Sequence, residues 1–239
     1  MKRFYDALPD PFFDGAPACI IVGAGDVGDY QIEVQKDDLV IAADGGYQYL
    51  QNAGVRCDLL MGDLDSLPSD TVIGTETKRF NPIKDDTDTM LAVRHGLELG
   101  YRKFLLFGVF GGRFDHTVGT LQTVAFLAEN GASVCAFEQT QDARCASYVT
   151  AIKNGTVRFP DTAKGYLSLI AWGGDARGVT LEHLKACFPH LKIGGPAVAG
   201  LKQKAWFVRG LFDALGEVKP DFFSWHVYAA PVEKMRDKI

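Results

Sequence analysis

The chain has 239 residues, 47% of them hydrophobic, and a formal net charge of -5 from 25 basic and 30 acidic residues. That much apolar material is enough for one large core or two modest ones and excludes a disordered chain, while the mild acidity, with no basic stripe, argues against a nonspecific nucleic-acid surface. Five scattered cysteines (19, 57, 135, 145 and 187) show neither CxxC nor zinc spacing, so reduced thiols in a cytoplasmic protein are expected, and no apolar run reaches the length of a membrane span.

Residues 1–17 hold Pro9, Pro11 and Pro17 among aromatics, which predicts an irregular arm, and Asp6 and Asp10 interrupt what would have to be a signal peptide's apolar stretch. Ala18–Val22 predicts a first buried strand. The glycines that follow, Gly23, Gly25 and Gly28, fit GxGxxG, and Asp44 ends the next apolar run, LVIAAD, so dinucleotide binding is a competing reading. Against it, DYQIEVQKDDL is polar and carries β-branched Ile32 and Val34, a poor helix to lie under a pyrophosphate; Asp26 would place a carboxylate in the anion loop. Tyr47–Ala53 reads as a helix, CDLLMGD as a strand and TVIGTE as a further short strand. Asp88–Leu99 is a helix closed by Gly100, Lys103–Phe110 a strand of parallel type, His116–Asn130 a helix closed by Gly131, and Ser133–Phe137 a strand. This alternation predicts an α/β domain over residues 1–141 with a Rossmann-like layered parallel sheet. Beyond it, the runs Cys145–Ile152, Thr156–Phe159 and Tyr166–Trp172 are separated by glycine turns, which predicts an all-β second domain over residues 142–239.

Three acidic clusters, MGDLDS (61–66), KDDTD (84–88) and GGRFDH (111–116), stand at the ends of these elements. Carboxylates at this density repel one another unless a divalent cation, basic side chains such as Lys84 and Arg113, or both sit between them. If the apolar runs are parallel strands, their C-terminal ends open on one edge of the sheet, where open α/β sheets bind ligands. Asp63 and Asp65, two apart, point the same way on an extended segment and can reach one ion; Asp85 and Asp88 share one face of a helix start. Each acid alone is also an ordinary cap or turn former. Together they suit Mg²⁺ held by carboxylates and substrate phosphates, the usual arrangement for moving phosphoryl groups.

DGG (44–46), GDLDS (62–66), KDxTD (84–88) and GGRxDH (111–116), in this order and at these intervals, resemble the N-terminal half of the thiamine pyrophosphokinase family over about residues 18–138. The resemblance implies transfer of a pyrophosphoryl group from ATP to the hydroxyl of thiamine with Mg²⁺, giving thiamine diphosphate and AMP, in a homodimer with sites between subunits. It also implies a small C-terminal β-sandwich, to whose first segment YLSLIAWGGDARGVTLEHLK (166–185) is similar. The family closes that domain with Gly-x-Ser-Asn, and the best-placed segment here, AGLKQKAWF (199–207), has Leu201-Lys202 instead. Asp44, Asp63, Asp65, Asp85, Asp88, Arg113 and Asp115 match positions of the family's binding or catalytic set.

For such a transfer, Asp63 and Asp65 are the first choice for Mg²⁺, with Asp85 and Asp88 joining them or holding its water shell. Lys84 and Arg113 suit a triphosphate or pair with the aspartates, and the amides of Gly111 and Gly112 can approach phosphate oxygens because no Cβ intervenes. Asp115 belongs nearest the acceptor hydroxyl, as ligand or base. His116 caps the following helix, orients Asp115 or does acid–base work; Asp44 fits a substrate or nucleotide contact; Ser66 fits a turn or a substrate hydrogen bond. Two other functions stay open: a Mg²⁺-dependent kinase or pyrophosphokinase acting on another heteroaromatic alcohol such as a pterin, and a nucleotide-binding module without activity.

Overall fold

The computed structural model describes residues 8, 9, 12, 15–64, 67, 71–81, 86–111, 113–139, 147–159, 165–168, 170, 172, 191–193, 198, 199, 225 and 226. The chain divides into two compact units, Met1–Arg158 and Phe159–Ile239.

The first unit is built on a seven-stranded sheet. Its strands are β1 (Cys19–Val22), β2 (Leu39–Ala43), β3 (Leu59–Gly62), β4 (Glu76–Arg79), β5 (Lys103–Phe107), β6 (Ser133–Glu138) and β7 (Ser147–Val149), with helices α1 (Gly46–Ala53), α2 (Asp88–Glu98) and α3 (Phe114–Glu129). The spatial order is β4-β3-β2-β1-β5-β6-β7. All neighbours pair in parallel except β7, which runs antiparallel to β6 with Phe137 opposite Tyr148. The sheet is therefore mixed, and the α/β class expected from the sequence holds for this unit.

Unbroken apolar runs make these strands because both faces of the sheet are covered. Ile20, Val22, Val40, Ala42, Leu60 and Phe107 pack with Tyr47 and Leu50 of α1 on one face. Cys19, Ile21, Ile41, Met61, Phe104 and Leu106 pack with Ala92 and Val93 of α2 and Val124 and Leu127 of α3 on the other. Phe107 and Phe137 stack at 4.5 Å between ring centroids. Each fully buried side chain of this size contributes about 1.5–3 kcal/mol relative to exposure. The strand expected in TVIGTE forms later, over Glu76–Arg79, as a polar strand at the sheet's edge. An edge strand needs only its backbone paired on one side, so apolar content does not locate it.

Strand order reverses between β1 and β5, and there the turns following the two strands are zipped together. Gly23 N–H donates to Phe107 O and Gly25 N–H to Gly108 O, each at 2.8 Å. A Cβ on Gly23 would stand 2.6 Å from the Gly108 oxygen, and one on Gly25 would stand 2.7 Å from the oxygens of both Gly108 and Phe110. The space these glycines leave is thus filled by the chain itself rather than left for a pyrophosphate. Residues 30–35, where a dinucleotide fold would continue its helix, form neither helix nor strand. Both observations weigh against the dinucleotide reading.

In the second unit, β8 (Gly165–Leu167) pairs in parallel with β9 (Leu191–Ile193), and β10 (Val198–Ala199) in parallel with β11 (Trp225–His226). The GGDARGVTLEHLK part of the family-like segment and Leu201-Lys202 lie outside the described residues. Among the described residues no helix is long and apolar enough to cross a membrane.

Candidate functional site

The C-terminal edge of the parallel strands carries the acidic residues, and each is placed there by the element before it. Asp44 follows β2 directly. Its N–H donates to Met61 O at 2.8 Å and its carbonyl accepts from Tyr47 N–H at 3.2 Å, so it joins β3 to the first turn of α1. Its φ is +52°, in the left-handed region, and one carboxylate oxygen, Oδ1, is buried. Gly62 ends β3, and a Cβ there would stand 3.1 Å from the Cβ of Asp44. The bare backbone of Gly62 lets Asp44 lie across the end of β3, next to Asp63. Leu64, also at positive φ (+66°), continues this corner. Left-handed backbone at non-glycine residues costs on the order of 1 kcal/mol or more and gathers where surroundings hold it for a purpose.

Two more elements open on the same edge. Phe80 N–H donates to Gly62 O at 3.0 Å and ties the exit of β4 to the Asp63 corner. Thr87 then caps α2, its hydroxyl accepting from Met90 N–H at 3.1 Å, and the half-buried Asp88 sits in the first turn, where the helix dipole favours a negative charge. Asp86 of the same motif is a structural acid: Arg94 Nε donates to it at 3.0 Å, and that guanidinium lies 4.8 Å over the Phe126 ring of α3.

After β5, Gly108 (φ +60°) turns the chain and Thr120 of α3 donates its hydroxyl to Val109 O at 2.7 Å, fixing the loop to the helix. Gly111 differs from Gly25. Its φ of +93° demands glycine, yet a Cβ there would meet nothing within 4 Å among the described residues. Arg113 stands at the N-cap of α3 and grips Asp115 at two points, Nε to Oδ1 at 3.1 Å and Nη2 to Oδ2. The pair is exposed, with 74% and 62% of the two side chains open to water. The Arg113 hydrogen bond, helped by the backbone N–H of His116, holds the Asp115 carboxyl below the usual range, and Asp115 raises the Arg113 guanidinium in turn. His116 is exposed in the first turn of α3.

Asp44, Asp63, Asp88, Gly111, Arg113, Asp115 and His116 therefore stand at one edge of one sheet. Asp65, Ser66, Lys84, Asp85 and Gly112 lie outside the described residues. Among the described residues no three carboxylate, imidazole or thiol groups cluster tightly enough to hold a metal unaided. The donors at this edge are nonetheless hard carboxylate oxygens on neighbouring strand and helix ends, which is the chemistry Mg²⁺ takes. Thr87, Thr120, Leu64 and Gly108 were missed in the sequence. A threonine just before an apolar helix was a legible cap signal for Thr87; nothing in the sequence marks the left-handed Leu64. A groove of about 550 Å³ opens at the opposite edge between Ala16, Tyr101, Arg102 and Ser133, and no carboxylate lines it among the described residues.

Residues 30–136 match a family model described as thiamin pyrophosphokinase, catalytic domain. Among solved structures, the thiamine pyrophosphokinase of Bacillus subtilis is 25% identical over 50% of this chain and 59% of its own, with a TM-score of 0.45. That of Geobacillus thermodenitrificans is 28% identical over 49% of this chain and 58% of its own, TM-score 0.43. A thiamin pyrophosphokinase family protein of Enterococcus faecalis is 26% identical over 49% and 61%, TM-score 0.42. The chain thus covers less than two thirds of the length of each. No curated protein matches it. Every candidate residue from Asp44 to His116 falls inside the matched span, so the N-terminal half of this chain, acidic edge included, matches the catalytic domain of the thiamine pyrophosphokinase family.

Proposed function

We propose that the protein transfers a pyrophosphoryl group from ATP to the hydroxyl of thiamine, releasing AMP and thiamine diphosphate. The observation that carries this reading is the gathering of Asp44, Asp63, Asp88 and the Arg113–Asp115 pair on one sheet edge, within the span that matches the family. Asp63, Asp65, Asp85 and Asp88 would hold Mg²⁺, which would supply the positive charge that neutralises the phosphates.

The chain's own groups supply the rest. Lys84, Arg113 and the amides of Gly111 and Gly112 bind and orient the triphosphate. Asp115 accepts the hydrogen bond of the acceptor hydroxyl and directs its oxygen at the β-phosphorus. As that O–P bond forms, the bond from the β-phosphorus to the α-β bridging oxygen breaks and AMP leaves with the electron pair. A carboxylate held below its usual range is a weak base, so Asp115 positions the hydroxyl and takes its proton late, which suffices for a loose phosphoryl transition state. Asp44 contacts nucleotide or substrate, Ser66 hydrogen-bonds substrate, and His116 orients Asp115. The region from 142 to 239, apart from Ser147–Val149, which closes the first unit's sheet, would bind thiamine and dimerise, giving a homodimer with sites between subunits.

³¹P spectra of the full chain with thiamine, ATP and Mg²⁺ test the reading. AMP and thiamine diphosphate in equal amounts are expected; ADP with a monophosphate would refute it. AMP formed only with a different ring alcohol, such as a pterin, would give the acceptor pocket to the Leu201-Lys202 departure. Absence of AMP with every acceptor would leave a binding module.

A further inference from the structure

We propose that Arg94 is a positioning residue for the KDDTD motif (84–88) at the Mg²⁺ site, acting through Asp86, an inference that rests on the reading above. Asp86 is the one position that KDxTD leaves open, and it lies between Asp85 and Asp88, two of the acids assigned to the cation. Carboxylates this close in the chain can reach a cation in more than one combination, so something has to fix which of them do. Side chains on a helix lean toward its N-terminus, and Arg94, from the second turn of α2, reaches back past the cap to Asp86, Nε donating to Oδ2 at 3.0 Å. The same guanidinium lies 4.8 Å from the centroid of the Phe126 ring of α3. One side chain thus joins the segment before α2 to α2 itself and to α3.

The mount behind this contact is rigid. Thr87 caps α2, and a Cβ on Gly119 of α3 would stand 3.8 Å from the Thr87 methyl, so the cap lies against α3 as well. Gly96 brings α2 onto β1, where a Cβ would stand 2.8 Å from Cys19 Sγ, and Ala92 and Val93 are buried in the same core. Against this frame, holding Asp86 fixes the backbone from Asp86 to Asp88 and the point from which the chain continues to Asp85, which lies outside the described residues. It also keeps the Asp86 carboxylate on a cation of the protein and out of competition for the metal. The two side chains are 46% and 35% exposed, so folding gains little from the pair, and its effect falls on where the motif's acids stand.

The test measures Mn²⁺ binding to the full chain, without ATP or acceptor, from the loss of the free-ion EPR signal, together with the melting temperature. It compares wild type with Arg94→Ala, Arg94→Lys, Asp86→Ala and the double alanine variant. Removing a positive charge beside the site would by itself tighten Mn²⁺, and removing a negative one would loosen it. Positioning predicts otherwise. Both single alanine variants should bind Mn²⁺ about tenfold more weakly, the lower end of the loss when a group behind a metal ligand is removed, and the double variant no more weakly than either, because the two residues act as one. Arg94→Lys, whose ammonium still reaches Asp86, should lie closer to wild type than Arg94→Ala. Melting temperatures should stay near that of the parent, since alanine keeps α2 helical and the pair is half-exposed. Unchanged Mn²⁺ binding in Arg94→Ala, tighter binding there with weaker binding in Asp86→Ala, or additive losses in the double variant overturns the proposal. So does a lysine no better than alanine, or a melting temperature that collapses with the binding. If wild type binds Mn²⁺ but forms no AMP, the reaction falls and the inference is judged on these affinities alone. Wild type that binds no Mn²⁺ overturns it outright.

Discussion

The amide of Gly25 donates to the carbonyl of Gly108 at 2.8 Å, so the turns after β1 and β5, the two strands at which the sheet order reverses, are held as one piece. Gly108 at φ +60° aims its oxygen there, and a side chain on either Gly23 or Gly25 would collide with it. A glycine pattern that in other folds admits a pyrophosphate here admits a neighbouring loop, which braces the backbone leading into Gly111–Asp115.

Gly25→Ala should therefore act on the fold. Its Cβ would stand 2.7 Å from two backbone oxygens that have no flexible side chain to move aside. A loss of about 1–3 kcal/mol, typical of overpacking, is expected from urea unfolding. Gly111→Ala is the contrast: the space is open but the φ of +93° is not available cheaply to alanine. It should cost about 1 kcal/mol of stability and proportionately more of turnover, because the loop it turns carries Arg113 and Asp115. Equal losses of stability in the two variants would remove this distinction.

Asp63→Asn keeps the size of the side chain and removes its charge at the end of β3. AMP formation should fall by about 100-fold or more with Mg²⁺ in excess, as when a phosphate-neutralising ligand is lost, while the melting temperature stays near that of the parent. Turnover close to the parent rate would make Asp63 a turn residue, and a collapsed melting temperature would make it structural.

The Arg113–Asp115 pair has a definite pH sense. The folded-state carboxyl of Asp115 lies below its ordinary value of 3.8, so whatever the pair contributes is present above that value and is lost as pH falls through the lower folded one. At neutral pH the pair is intact. A ¹³C titration of the side-chain carboxyl should place the Asp115 midpoint below that of an ordinary aspartate, and Arg113→Ala should return it upward. Because both side chains are exposed, overall stability should change little in Arg113→Ala. An unmoved midpoint in the variant would show that the pair does not hold in solution.

Much of this architecture was legible because β1, β2, β3, β5 and β6 are buried on both faces, and such strands write themselves as unbroken apolar runs. The edges were not. β4 is polar and half-exposed, so its position depends on pairing with β3 rather than on its own composition. β7 lies among residues whose turn spacing suggested a separate hairpin, yet Ser147–Val149 closes this sheet with Tyr148 tilted against Phe137 at 5.9 Å. At the site, residue types gave acids and, for Arg113, the alternative of pairing with an aspartate, but not that the partner would be Asp115 or that Asp86 would be spent on Arg94. Those pairings depend on rotamers and helix starts, which motif spacing does not encode.

The cysteines offer a test of the same burial independent of any ligand. Cys19 and Cys135 are fully buried in β1 and β6, and Cys57 is half-buried just before β3. Burial raises all three thiols, with the Asp38 charge adding to it at Cys19; at Cys57 hydrogen bonds with the backbone at Ala42 and Leu59 partly offset it. The thiolate is the reacting form, so each is protected twice, by access and by protonation, and Cys57 least. In neutral buffer, iodoacetamide followed by peptide mapping should label Cys57 slowly and leave Cys19 and Cys135 unlabelled until urea unfolds the sheet. Raising the pH past the ordinary thiol value should speed Cys57 later than a free cysteine standard, since its folded value lies higher. Labelling of Cys19 as fast as Cys57 in the native protein would mean that β1, the strand between β2 and β5, opens locally, and the rigid mount argued for the acidic edge would not stand.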